Sequence, residues 1–198
     1  MNQAFEDGRF AAGMPCVPHR SAMNGGAKMR KEVRMPTGRV AVQDYEELVR
    51  FLEQTPGRIK ELVSEVRKDA LRERPSAECW SVVEQICHLR DIEQEGYRVR
   101  IQRILTESNP SLPDIAGDQL AIERNYVDQD LGLALEAFID ARAENFRAIR
   151  GLSVNQLNRT GVYEGFGPVT LLELLVKLQD HDSGHIDELT HLRDLYRA

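Results

Sequence analysis

No run in this sequence reaches the ~18 consecutive apolar residues that a bilayer-spanning helix needs, so no membrane segment is expected. The stretch Ala11–Val17 is interrupted by Gly13 and Pro15, too short and too broken for the core of a signal peptide. Cysteine is scarce: Cys16, Cys79 and Cys87 form no C-x-x-C pair. That count speaks against a disulfide framework or a zinc ribbon and for a reducing, cytoplasmic setting. Positive charge is in deficit too, with 26 Lys and Arg against 32 Asp and Glu. Residues 1–40 hold seven basic and three acidic groups, which leaves 19 against 29 in the other 158. The body is therefore ten charges negative, an unsuitable surface for nucleic acid.

Familiar catalytic motifs are missing as well. Asp182, not Glu, follows His181, so there is no H-E-x-x-H zincin signature. There is no Walker loop, and Gly165-Phe166-Gly167 reads as a turn rather than a nucleotide cradle. The paired Glu-x-x-His motifs of carboxylate di-iron bundles are not found either.

What is present is helical periodicity. Residues 1–40, with five glycines, three prolines and little to pack, read as a flexible basic tail; 41–198 read as one bundle domain. Tyr45, Leu48, Val49 and Leu52 recur at helical spacing, and Thr55-Pro56 looks like a restart, so the first helix is expected to kink or split near Gln54. A second helix opens at Ser76 or Ser81, with Glu84 completing a capping box on Ser81, and runs to about Thr106. Residues 108–127 form a long connection with a short helix near Leu120–Arg124. A third helix spans about Gln129–Arg150, residues 159–168 are turn-rich, and a last helix runs from Pro168 nearly to the C-terminus. Four long helices without strand-like alternation predict an all-α, up-and-down four-helix bundle.

In the last helix Leu171, Leu174, Leu175, Leu178, His181, His185, Leu189 and Leu192 fall three or four apart. Both histidines therefore lie on the core-facing stripe, one turn apart, where two imidazoles can reach one cation. Buried rings need a partner. Hydrogen bonds to neighbouring groups satisfy many such pairs, and a metal site needs a third convergent ligand. His88 is the candidate, on a strip of the second helix with Glu84, Asp91 and Glu95 that is either solvated or supplies carboxylates to orient the imidazole. His191, about 240° round the helix from His185, is expected to face solvent.

Three segments resemble a known family: "PSAECWSVVEQICHLRDIE" (75–93), "ERNY" followed by "LEAFIDAR" (123–142), and "GFGPVTLLELLVKLQDHDSGHIDELTHL" (165–192). Together they are similar to the DinB/YfiT superfamily of bacterial four-helix metalloproteins, over about residues 43–196. The resemblance implies a divalent ion, commonly zinc or nickel, held by His88, His181 and His185; His19 and His191 match nothing in the pattern. It further implies a small-molecule substrate, and for some relatives transfer of a low-molecular-weight thiol such as mycothiol or bacillithiol.

Three neutral imidazoles would leave an exchangeable position for water or a thiol. The first expectation is thiol transfer to a small electrophile, the second hydrolysis of a small amide or ester. The third is a metal-binding or interaction bundle without a reaction, with a homodimer through exposed helix faces as one form. Asp182 is a candidate assistant, Arg142 a candidate anion anchor or ordinary ion-pair partner, and Tyr126 a candidate for the pocket mouth. Cys87 reads as a small buried hydrophobe and Trp80 as a core anchor.

Overall fold

The computed structural model describes residues 39–197; the expectations for the tail, Cys16 and His19 fall outside them. Seven helical segments carry the fold: α1 (Arg39–Ser64), α2 (Val82–Asp91), α3 (Arg98–Thr106), α4 (Gly117–Glu123), α5 (Leu131–Ile149), α6 (Val154–Leu157) and α7 (Leu171–Leu195). A π-helical turn, Ile92–Tyr97, fuses α2 and α3 into one long element. With α1, α5 and α7 it makes the four members of the bundle. The helix starts follow local chemistry. Ser81 with Glu84 and Thr170 with Glu173 form reciprocal capping boxes, and the Asp130 side chain accepts from Leu133 N.

Pro56 lies inside a single continuous α1, so the predicted split does not occur. Its ring nitrogen has no hydrogen to donate, which leaves the carbonyl of Leu52, four residues back, without its helical partner. Arg142 Nη1 from α5 donates to that oxygen at 3.3 Å. The missing bond is thereby replaced from across the core.

The up-and-down expectation needs correcting. Tyr45 at the start of α1 hydrogen-bonds the carbonyl of Ile149 at the end of α5, so these two run antiparallel. Val66, just beyond α1, bridges Arg197, just beyond α7, so these two run parallel. Gln129, just before α5, meets Cys87 and Arg90 of α2, while Glu144 late in α5 pairs with Arg98 at the start of α3. The second and third bundle elements are therefore parallel neighbours. A parallel pair needs a crossover running back along the bundle, and residues 107–130 provide it.

The all-α expectation also needs correcting. A small sheet joins the crossover to the hairpin that precedes α7: β1 (Ser111–Leu112) pairs in parallel with β2 (Thr160–Tyr163), which pairs antiparallel with β3 (Gly167–Thr170). Gly165 and Gly167, at φ +76 and +87, make its turn. Pro168 lies in β3, so α7 starts three residues later than expected, at its Thr170 cap.

Two apolar clusters fill the bundle. One gathers Tyr45, Leu48 and Leu52 with Ile101, Ile104, Leu174 and Leu178; the other gathers Ile59, Leu62 and Ile86 with Phe138, Ile186 and Leu189. Between them lies a buried polar layer of Gln85, His88, Glu93, Arg142, Asn145, Asp182 and His185. No described helix is long and apolar enough to cross a membrane.

Candidate metal centre

His181 and His185 project from α7 toward α2, which runs antiparallel beside it and presents His88. One ligating nitrogen from each ring lies within 4.8 Å of the other two. His88 Nε2 and His181 Nε2 face each other at 3.2 Å. Two neutral ring nitrogens at that separation share one proton or turn two lone pairs onto one positive centre. His88 and His185 are buried, and His181 keeps 23% of its side-chain surface exposed, which leaves one approach to the cluster.

The surroundings prepare the rings to accept rather than to donate. His185 Nδ1 hydrogen-bonds Gln85 Oε1 and lies 3.3 Å from Glu188 Oε2, and Gln85 Nε2 donates to the same carboxylate at 2.6 Å. With Nδ1 as the donor, Nε2 of His185 is the accepting nitrogen. Burial, and then the neighbouring His181, hold the His185 imidazole below its ordinary pKa, so it stays neutral near pH 7. The His88 ring packs 4.8 Å from Trp80, centroid to centroid, and 4.9 Å from His185. On another side the backbone of Gly117 comes so close that a Cβ there would sit 2.5 Å from His88 Cε1 and 2.8 Å from Nδ1. Only glycine fits at that position without moving the imidazole.

Behind His181 lies a sealed ionic group. Arg142 binds Glu93 through Nε at 2.7 Å and Nη2 at 2.8 Å, and Asp182 through Nη1 at 2.6 Å and Nη2 at 3.1 Å. Adding the Leu52 carbonyl, all five of its N–H donors are spent. Asn145 donates to Glu93 Oε1 at 2.7 Å. Asp182 Oδ1 sits 3.7 Å from His181 Nδ1, too long for a hydrogen bond. Burial pushes the Asp182 carboxyl up, but the charge of Arg142 and the contacts to His181 outweigh it and hold the group ionised.

These positions decide between the readings of the candidate residues. Arg142 is the interior ion-pair partner, with no donor left for a substrate anion. Asp182 is fully buried behind the imidazoles. Tyr126 is 1% exposed and donates to Asp91 Oδ2 at 2.6 Å, so the pocket-mouth expectation fails because α4 and its flanks cover it. Glu84 is spent on its cap and on Arg74, while Glu95 pairs with Arg124. Cys87 is a free, buried thiol pushed up to about 11 by burial, as a small hydrophobe should be. Trp80, expected as a core anchor, is half-buried and packs against His88, and His191 is half-buried rather than solvated.

The family model that describes the DinB superfamily matches residues 52–189. The chain belongs to the DinB superfamily. Among solved structures it is similar to YfiT from Bacillus subtilis, described as a probable metal-dependent hydrolase with an unusual four-helix bundle topology. That likeness has a TM-score of 0.73 at 20% identity and covers 88% of this chain and 96% of YfiT; it bears on the fold. No match was found among curated proteins. The bundle order derived above, with its parallel second and third elements, likewise departs from the simple up-and-down bundle.

Proposed function

We propose that this DinB chain is a metal-dependent enzyme that holds a divalent ion with His88, His181 and His185 and hydrolyses a small amide or ester. The observation that carries the reading is the convergence of three imidazoles from two antiparallel helices within 4.8 Å, beside a buried group whose Glu93, Arg142, Asn145 and Asp182 are spent on one another. The donor set fits a borderline ion such as zinc or nickel, because all three ligands are nitrogen and no thiolate adjoins them. Such an ion supplies Lewis acidity and lowers the pKa of a water or thiol brought to it.

The protein's part is positional. Gln85 and Glu188 fix the tautomer of His185, Gly117 and Trp80 hold the plane of His88, and the Arg142 group closes the inner side to water. Access is left on the His181 side. The printed description of YfiT as a probable metal-dependent hydrolase supports the choice of water as nucleophile. Thiol transfer would use the same exchangeable position with a low-molecular-weight thiol in place of water.

The test begins with metal analysis of the protein and of His185→Ala. The variant is expected to lose most of the bound metal, since a metal site needs its third convergent ligand; unchanged content would end the reading. Metal-loaded protein is then given chromogenic esters and amides, and separately a thiol with a chlorinated electrophile. Turnover of the first set supports hydrolysis. Turnover of the second alone assigns thiol transfer, and silence in both leaves the metal-binding bundle without a reaction.

A further inference from the structure

The described residues include four buried tyrosines, and three have an evident partner for the hydroxyl. Tyr45 donates to the Ile149 carbonyl, Tyr126 to Asp91, and Tyr163 to Asp114 at 2.9 Å. Tyr97 is as buried as they are, at 5% exposed, yet its hydroxyl hydrogen-bonds none of the described residues. A buried tyrosine ordinarily finds a partner, and one that keeps its donor unspent invites a ligand.

The ring of Tyr97 lies beside the histidine cluster. The Tyr97 ring meets His181 edge-on at 6.0 Å, centroid to centroid, and Arg100 covers the ring at 5.5 Å. Helix geometry explains how it gets there. Nine residues separate His88 from Tyr97, and at about 100° per residue an unbroken α-helix would set them on opposite sides. The π-helical turn Ile92–Tyr97 takes up an extra residue and swings Tyr97 by roughly 100°, back toward the face that carries His88. The irregular turn thus puts a phenol where the regular helix would put it outside the site.

We propose that Tyr97 is the ligand-contacting residue of this centre, its hydroxyl donating a hydrogen bond to the carbonyl oxygen of a small amide, ester or similar oxygen-bearing ligand held at the three histidines. The proposal rests on the metal-binding reading above. Tyr163 supplies the contrast: its hydroxyl is committed to Asp114, so it has no donor to offer.

The experiment uses the full chain loaded with cobalt, whose visible spectrum reports binding, and acetohydroxamate as the probe. Parent protein, Tyr97→Phe and Tyr163→Phe are compared for cobalt content, melting temperature and probe affinity. The expected result is equal cobalt content throughout, with acetohydroxamate bound roughly three- to tenfold more weakly by Tyr97→Phe, the worth of one hydrogen bond, and unchanged by Tyr163→Phe. Equal probe affinity in Tyr97→Phe overturns the proposal while leaving the metal site standing. So does an equal loss in both variants, which would mark a general packing effect. Failure of the parent protein to take up cobalt overturns the metal reading, and this proposal with it.

Discussion

The two apolar clusters and the polar layer between them are built from the same four helices but obey different rules. In the clusters, residues such as Ile101, Ile104, Phe138 and Leu189 need only fill space, and a neighbour can relax into part of any gap. In the layer, Arg142 meets five acceptors on three other bundle elements, and each acceptor depends on it in return. Removing one member strands the rest in a dry interior. Apolar packing is tolerant because it is non-directional; a buried ionic group is complete or it is costly.

The largest expected effect comes from breaking that group. Arg142→Met leaves Glu93 and Asp182 buried without their counter-charge and should destabilise the fold by about 3–5 kcal/mol, read from urea unfolding. Ile101→Ala, a truncation of similar burial in an apolar cluster, should cost about 2–5 kcal/mol and leave metal content untouched. The sharper contrast is rescue. Adding Glu93→Gln and Asp182→Asn to Arg142→Met removes both stranded charges and should recover a large part of the loss, whereas no second change nearby should rescue Ile101→Ala so well. Absence of rescue would mean that the layer is held by shape, like the clusters on either side.

A smaller effect tests whether the histidine end of the layer is as exacting as its ionic end. Gly117→Ala puts a methyl group within 2.5 Å of the His88 ring, which cannot yield without leaving Trp80 and the other two imidazoles. Cobalt affinity should fall by about 10- to 100-fold, the range seen when a ligand's supports are disturbed. Melting temperature should change less than in Arg142→Met, since no buried charge loses its partner. Unaltered affinity would show that His88 has room to move.

How much of this was legible beforehand follows the same division. The apolar stripes of α1, α5 and α7 announce themselves by spacing, and the Ser81–Glu84 cap is visible as a pair three residues apart. His181 and His185 stand out because they interrupt a leucine stripe. The rest depends on partners far apart in sequence. Glu93 and Arg142 are separated by 49 residues, and nothing local marks either as buried. Tyr97 is hidden by the π-helical turn, since helical counting puts it on the wrong face. The small sheet is hidden because its inward positions in β2 are Gly161 and Tyr163, so the alternation lacks an apolar signal. Bundle order is hidden for the same reason as the ion group: it is fixed by long-range contacts such as Tyr45 with Ile149. Gln85 was within reach, because it lies three residues before His88 and so shares its side of α2.

The smallest effect concerns the edge of the layer, where charge meets solvent. Asp91 is 1% exposed and bound by Arg90, Tyr126 and Arg124. Burial pushes its carboxyl up, but those hydrogen bonds and the two guanidinium charges prevail and hold it below the usual carboxylate value. A pKa lower in the folded than in the unfolded chain means stability that is present above about pH 4 and is lost as the pH falls through the folded value. Between pH 5 and pH 3 the melting temperature of the parent protein should therefore drop more steeply than that of Asp91→Asn, by roughly 2–4 °C for each kcal/mol involved. The variant starts lower at pH 7, because Tyr126 and Arg124 lose an ionised acceptor, and the two curves converge in acid. Parallel curves would place Asp91 with the solvated surface pairs, whose ionisation folding does not feel, and would draw the boundary of the polar layer at the histidines.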